Sequence, residues 1–354
     1  MFILSIRLDN LHKLHYIIVV IANYSHLGGF YLRKLKIILS ALLIALMLGS
    51  AGFCVYYFSK PSKDAKVIAT IFPIYDIARE IMGSTDDLML LEDNGVDIHN
   101  FSPSAQDMTA IHKSELFIYI GGESDDWVGS VLKSSNNSNL ITLQLLDEIE
   151  KLEESEEGIL QGEEEEEHHH EESEEKHYDE HIWLSIKNVI VMTERIRDNL
   201  SLVFPERKEI FRINADRYID KLKALDAEYT EYCSNKTDTI IVADRFPFLY
   251  LMNDYGIKYH ACFSGCSTET QASADTISTL IDKINLCDVD YILVLETSDQ
   301  SVANSALSDT RCKSGVGIEV INSCQSVSLK DVENYSYLGI MQSNLEVLKK
   351  VLTK

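Results

Sequence analysis

The sequence predicts an α/β protein of two lobes, each built on a parallel sheet and joined by one long connecting helix. Short apolar runs of strand length alternate with helical stretches, the pattern of a parallel α/β layer. This alternation occurs twice, before residue 147 and after residue 234, and one unbroken amphipathic stripe separates the two groups. The length, 354 residues with 45% hydrophobic, fits two domains with real cores.

The first lobe spans 65–146. It reads as a strand at 67–70, a helix at 74–82 opened by Pro73, a strand at 87–92, a helix at 103–114 and a strand at 116–120 ending at Gly121-Gly122. Residues 181–204 close this lobe. The connecting helix occupies 205–234, with Pro205 where a first helical turn tolerates proline. Phe211, Ala215, Tyr218, Leu222, Leu225, Tyr229 and Tyr232 follow at alternating spacings of 4 and 3, which places them on one helix face. The second lobe, 235–354, carries strands at 239–243, 258–262, 291–295 and 318–321 with helical segments between them.

Residues 1–64 read as an amino-terminal extension followed by a signal sequence or membrane anchor. Arg33, Lys34 and Lys36 precede 22 uncharged residues, 37–58, enough to cross a bilayer of ~30 Å with the basic end in the cytoplasm. Cys54, after Ala51-Gly52-Phe53, resembles the acylated cysteine of a bacterial lipobox, although Phe53 stands where Gly or Ala is usual. A lipid anchor and an uncleaved helix both fit, and either puts the body outside the cell. There the six remaining cysteines are open to disulfide pairing.

The formal net charge is −24, which disfavours nucleic acid as a partner. Two-thirds of it lies in residues 147–180, where 16 Glu and 2 Asp face 2 Lys. Charge at that density is expected to stay solvated as a surface loop. His168, His169, His170 and His177 interrupt it, forming a pool of imidazoles and carboxylates suited to loose capture of metal ions. His177 and His181 also frame an H-x-x-E-H match to inverted zinc proteases, with Glu180 as base. That chemistry needs both histidines on one face of a stable helix. No G-x-S-x-G, P-loop or G-x-G-x-x-G is present.

Two further histidines sit at element edges, where two-lobed α/β proteins bind ligands. His99 follows Gly95-Val96-Asp97-Ile98 and precedes Asn100-Phe101-Ser102-Pro103-Ser104, and His181 opens His181-Ile182-Trp183-Leu184. With Ala69-Thr70-Ile71-Phe72-Pro73-Ile74-Tyr75-Asp76 near the start, and Tyr335-Ser336-Tyr337-Leu338 and Asn344-Leu345 near the end, these segments resemble, in order, the metal-binding solute receptors of zinc or manganese ABC importers, the ZnuA-like cluster. The resemblance implies a metal cleft between the lobes, with His99 and His181 as first and second ligands and Asp299 as the acidic fourth. It also implies a bound Zn²⁺, or Mn²⁺, as cargo.

The third ligand of that family is expected within 242–246, where the matching position reads Ala243. Asp244, Glu269 and Cys266 are the candidates to replace it. Ile98 and Ser185 stand where Pro and Asp are commoner. A metal-bound imidazole must be neutral, so affinity is expected to fall below about pH 6, near the ordinary His value of ~6.5.

The resemblance further implies a non-enzymatic, monomeric receptor on the outer face of a bacterial cell membrane, delivering metal to an ABC permease. A surface adhesion protein with a degenerate site is the alternative from another class, and the inverted-motif protease a more remote one.

Overall fold

The computed structural model describes residues 39–40, 42–43, 65–92, 98–160, 177–267, 271–328 and 330–353. The chain divides into two units, Met1–Pro61 and Ser62–Lys354, and everything below belongs to the second. The expected anchor cysteine Cys54, the loop histidines His168, His169 and His170, and Glu269 lie outside the described residues.

The second unit has two four-stranded sheets, all of whose pairings are parallel, as the alternating pattern predicts. In the first lobe β1 (Val67–Ala69) leads into α1 (Phe72–Met82), whose Pro73 sits in the first turn and whose end is set by Gly83 at φ 67, its N–H donating to Arg79 O. Then come β2 (Leu88–Leu90), a 3₁₀ turn Ile98–Asn100 and α2 (Ala105–Lys113). The start of α2 is fixed by a reciprocal cap: Asp107 N–H donates to Ser104 Oγ at 3.2 Å, and Ser104 N–H to Asp107 Oδ2 at 2.7 Å. β3 (Leu116–Tyr119), a 3₁₀ turn Glu123–Asp125, α3 (Asp126–Ser134) and β4 (Ile141–Gln144) complete a sheet of order β2-β1-β3-β4.

A 3₁₀ turn, Ile182–Leu184, opens α4 (Ile186–Val203), and after the turn Pro205–Arg207 comes the long helix α5 (Lys208–Cys233). At ~1.5 Å per residue its 26 residues span roughly 39 Å. The stripe is buried from Phe211 to Tyr229, with Tyr232 half-buried at its end. The second lobe follows with β5 (Thr239–Phe246), α6 (Leu249–Tyr255), β6 (Lys258–Ser264), α7 (Ala274–Cys287), β7 (Tyr291–Leu295), α8 (Ser301–Ser308), β8 (Gly317–Ile321) and α9 (Tyr337–Val351), its sheet ordered β6-β5-β7-β8.

The lobes are tied together by polar bonds, most of them buried. Asn214 on α5 donates to Ile81 O of the first lobe (3.0 Å), and Tyr229 donates its hydroxyl to Met341 O of the second (2.7 Å). Trp183 Nε1 donates to Ser323 O at 2.8 Å, while Tyr337 donates its hydroxyl to Trp183 O at 2.7 Å. Asp76 Oδ2 accepts from Tyr337 N–H at 2.7 Å. Each buried group would forfeit its partner if the lobes parted, a cost of ~1–3 kcal/mol apiece, so wide hinge opening is disfavoured.

The acidic segment departs from the expectation that it cannot pack. Ile159 and Leu160 are buried, because Leu160 N–H donates to Ala261 O and Ala261 N–H to Gly158 O, both at 2.8 Å, laying 158–160 along the edge of β6. The returning chain is stapled to this arm: Glu154 N–H donates to His177 O at 2.9 Å and Asp179 N–H to Leu152 O at 3.0 Å. The backbone ladder and two apolar side chains outweigh the flanking charge here. Residues 152–160 and 177–179, on either side of 161–176, are therefore held by backbone bonds.

Candidate metal centre

Four side chains carried by the two lobes meet in one cluster. His99 is carried by the 3₁₀ turn after β2, Glu180 and His181 by the segment that opens Ile182–Leu184, and Cys266 by the turn after β6, closed by Ser267 N–H donating to Ser264 O. His99, Glu180 and Cys266 each present a ligand atom, and these atoms lie within 4.8 Å of one another. The His181 ring stands edge-on to His99 with centroids 5.5 Å apart, and edge-on to Trp183 at 5.3 Å. His181 is 0% exposed and Glu180 1%. A carboxylate that deep is retained only where charge or hydrogen bonds compensate it.

That compensation is visible. His99 Nδ1 lies 3.1 Å from Glu180 Oε1. Ser124 donates its hydroxyl to Glu180 Oε1 at 2.5 Å and its N–H to Glu180 Oε2 at 3.1 Å, and its Oγ is 2.8 Å from His99 Nδ1. Burial pushes the Glu180 carboxyl up, but the bonds from His99 and Ser124 and the proximity of His181 outweigh it and hold the group below its ordinary value. The loop delivering Ser124 needs glycine: Gly122 is at φ 94, and a Cβ there would stand 2.6 Å from Glu180 Oε2. Asp125, one residue on, accepts from Gly121 N–H at 2.8 Å. Burial raises its carboxyl to about 6, against the Gly121 bond and with help from the Glu180 charge.

His181 is oriented by Asp179, whose Oδ1 accepts from His181 N–H at 2.8 Å and lies 3.3 Å from the ring Nδ1. A carboxylate on Nδ1 is the usual outer partner of a ligating imidazole, directing the other nitrogen at the metal. Tyr250 fixes that arm by donating its hydroxyl to Asp179 O at 3.0 Å while accepting from Leu152 N–H at 3.1 Å.

Of the residues singled out from sequence, the structure brings His99, His181 and Cys266 together. Asp244 and Asp299 line a different pocket, at the ends of β5 and β7. There Asp244 Oδ1 accepts from Arg245 N–H at 2.8 Å, and Asp299 Oδ1 accepts from Ser301 N–H at 2.8 Å. Ala243 is 2% exposed, packs with Ile241, Cys262 and Phe263, and lines that same pocket with Asp244 and Asp299, apart from His99 and His181. Beyond it the register of β5 against β6 shifts between Val242 and Arg245, which a strand-by-strand reading cannot foresee. Glu180 was read only as a protease base; its place immediately before His181 is the signal that marks it as a site residue. His177 is 61% exposed and lies 2.6 Å from Glu123 Oε1, whereas His181 is buried. Residues 177–181 are not helical, so the one-face geometry of an inverted protease is not present. The six described cysteines are all free thiols.

Residues 67–351 match the family model for ZnuA, described as the periplasmic component A of a zinc-uptake complex. The chain is 30% identical over 312 residues to the zinc-binding lipoprotein AdcA of Streptococcus pneumoniae serotype 4, covering 87% of this chain but 60% of that relative's length. It is 29% identical over 300 residues to the high-affinity zinc uptake system protein ZnuA of Bacillus subtilis, covering 83% of this chain and 91% of the relative. The crystal structure of the Zn(II)-bound ZnuA-like domain of S. pneumoniae AdcA superposes with a TM-score of 0.65 at 28% identity, covering 81% of this chain and 98% of that domain. The chain belongs to the ZnuA family.

Proposed function

We propose that this protein is an extracytoplasmic receptor that captures Zn²⁺ between its two lobes and delivers it to the permease of an ABC importer. The observation that carries this reading is the buried arrangement of His99, Glu180 and His181, with its own outer ring of Ser124, Asp179 and Tyr250. Two imidazoles and one carboxylate are a donor set suited to zinc. Manganese is the competing cargo, and its preference for oxygen ligands makes it the poorer fit. The zinc binding named for the pneumococcal relative and the zinc uptake named for the Bacillus relative support the same reading. Membrane attachment through the amino-terminal segment, by Cys54 or by the apolar run itself, would keep the receptor beside its permease.

The acidic histidine loop leaves the body beside this centre. Its base residue His177 and its anchoring residue Glu154 line the same cavity as Glu180 and Cys266. The loop then serves as a loose collector and the buried centre as the tight site. A competition titration of Zn²⁺ against Mn²⁺ tests the proposal: one tight zinc equivalent, lost in His99→Ala, is expected. Absence of any tight equivalent for either ion would overturn it.

A further inference from the structure

Resting on that reading, we propose that Cys266 Sγ is a direct ligand of the captured ion, making this a mixed imidazole, carboxylate and thiolate centre that favours Zn²⁺ over Mn²⁺. Cys266 stands apart from the other five described cysteines. Cys233, Cys262 and Cys324 are buried in the apolar cores, and Cys287 and Cys312 pack against the second lobe's core. Cys266 alone belongs to the set of converging ligand atoms, with His99 and Glu180.

The spacing fits a metal. Zinc bonds of ~2.0–2.3 Å in tetrahedral geometry put neighbouring donors roughly 3.3–3.8 Å apart. Cys266 Sγ is 3.8 Å from Glu180 Oε1, at the upper end of that range, and a ligand atom of His99 lies within 4.8 Å of both residues' donors. A thiol merely filling space would not need its backbone held this close. Gly265 presses the chain against the site: a Cβ there would lie 2.8 Å from Phe246 O and 3.1 Å from His181 Cε1. This contact sets the turn that carries Cys266 against the His181 ring through Gly265.

The ligand chemistry then decides selectivity. Thiolate is a soft donor that suits zinc, whereas manganese prefers carboxylate, carbonyl and water oxygens. His99, His181, Glu180 and Cys266 also give the four donors that zinc prefers. The centre needs no ligand from β5, so Ala243 is no defect.

Cobalt(II) spectroscopy of the full chain separates the possibilities. Co²⁺ bound to the protein is expected to show a near-ultraviolet thiolate-to-metal charge-transfer band. Cys266→Ser is expected to lose that band while keeping the visible d–d bands of the remaining ligands. In Zn²⁺/Mn²⁺ competition the same variant is expected to lose zinc affinity by more than the ~10–100-fold that removing an outer-shell partner costs, with manganese binding little changed. Cobalt binding without the charge-transfer band in the parent protein overturns the ligand assignment and leaves the receptor reading standing, and this result does not depend on any variant folding. Unchanged zinc preference in Cys266→Ser overturns it equally. Failure of the parent to bind Co²⁺ or Zn²⁺ at all overturns the receptor reading and this inference with it.

Discussion

Replacing Asp125 by Asn should make the metal-free protein more stable at neutral pH, and only there. Asp125 is 8% exposed, accepts from Gly121 N–H at 2.8 Å and sits in the field of Glu180. Its carboxyl is raised from 3.8 to about 6 by burial first and the Glu180 charge as well, against the Gly121 bond. A raised carboxyl favours the folded state when protonated. Its contribution is fully present below about pH 4, is lost as pH rises towards 6 and then levels off. The gap of about two pH units corresponds to roughly 3 kcal/mol at ~1.36 kcal/mol per unit, an order-of-magnitude figure. Asn keeps an acceptor for Gly121 but carries no charge. The difference in unfolding free energy between Asp125→Asn and the parent should therefore be near zero at pH 4 and grow to a few kcal/mol in the variant's favour by pH 7. Urea denaturation of both proteins with metal removed, stepped across that range, measures it. Groups outside the field of Asp125 cancel in the difference, and relief of its repulsion with Glu180 acts in the same direction, so a pH-independent gap, or one of opposite sign, would refute the reasoning.

Gly122→Ala places a methyl at φ 94 against Glu180 Oε2; strain of ~1–3 kcal/mol and a large drop in zinc affinity are expected together, read by thermal unfolding and by titration. Tyr250→Phe removes the hydroxyl that bridges Asp179 O and Leu152 N–H; it should cost ~1–3 kcal/mol of stability and speed zinc release by loosening the arm that aims His181, as stopped-flow chelation would show. Replacing residues 161–176 by a short flexible linker should slow zinc capture at low metal concentration while leaving the tight equivalent intact, because both flanks are held by their own backbone bonds, Leu160 N–H to Ala261 O and Glu154 N–H to His177 O. Abolition of tight binding by that replacement would refute the division of labour.

The architecture was legible because its signals are local. The strand runs at 67–69, 116–119 and 291–295 are short and apolar, and the stripe from Phe211 to Tyr229 has a period no strand can satisfy. β4 at Ile141–Gln144 was missed: only Leu143 of its four residues is buried, so it gives little apolar signal at the sheet edge. The order of short segments around His99 and His181 points to them, and the structure sets their rings 5.5 Å apart. The meeting of Glu180 with Ser124 and His99 is not legible in one dimension, since it joins residues 56 and 81 positions apart. The facing of residues 242–246 was illegible for a related reason. Alternation along β5 holds only as far as Val242, and the register shift beyond it is a property of pairing with β6. The burial of Ile159 and Leu160 inside a charge run also depends on a partner strand a hundred residues away.

The most direct test of the account is the location of the metal itself. A crystal structure of the zinc-loaded protein, with anomalous scattering collected at the zinc edge, should place one full-occupancy ion between His99, Glu180, His181 and Cys266. An ion bound at Asp244 and Asp299, with the four-residue cluster empty, would contradict it.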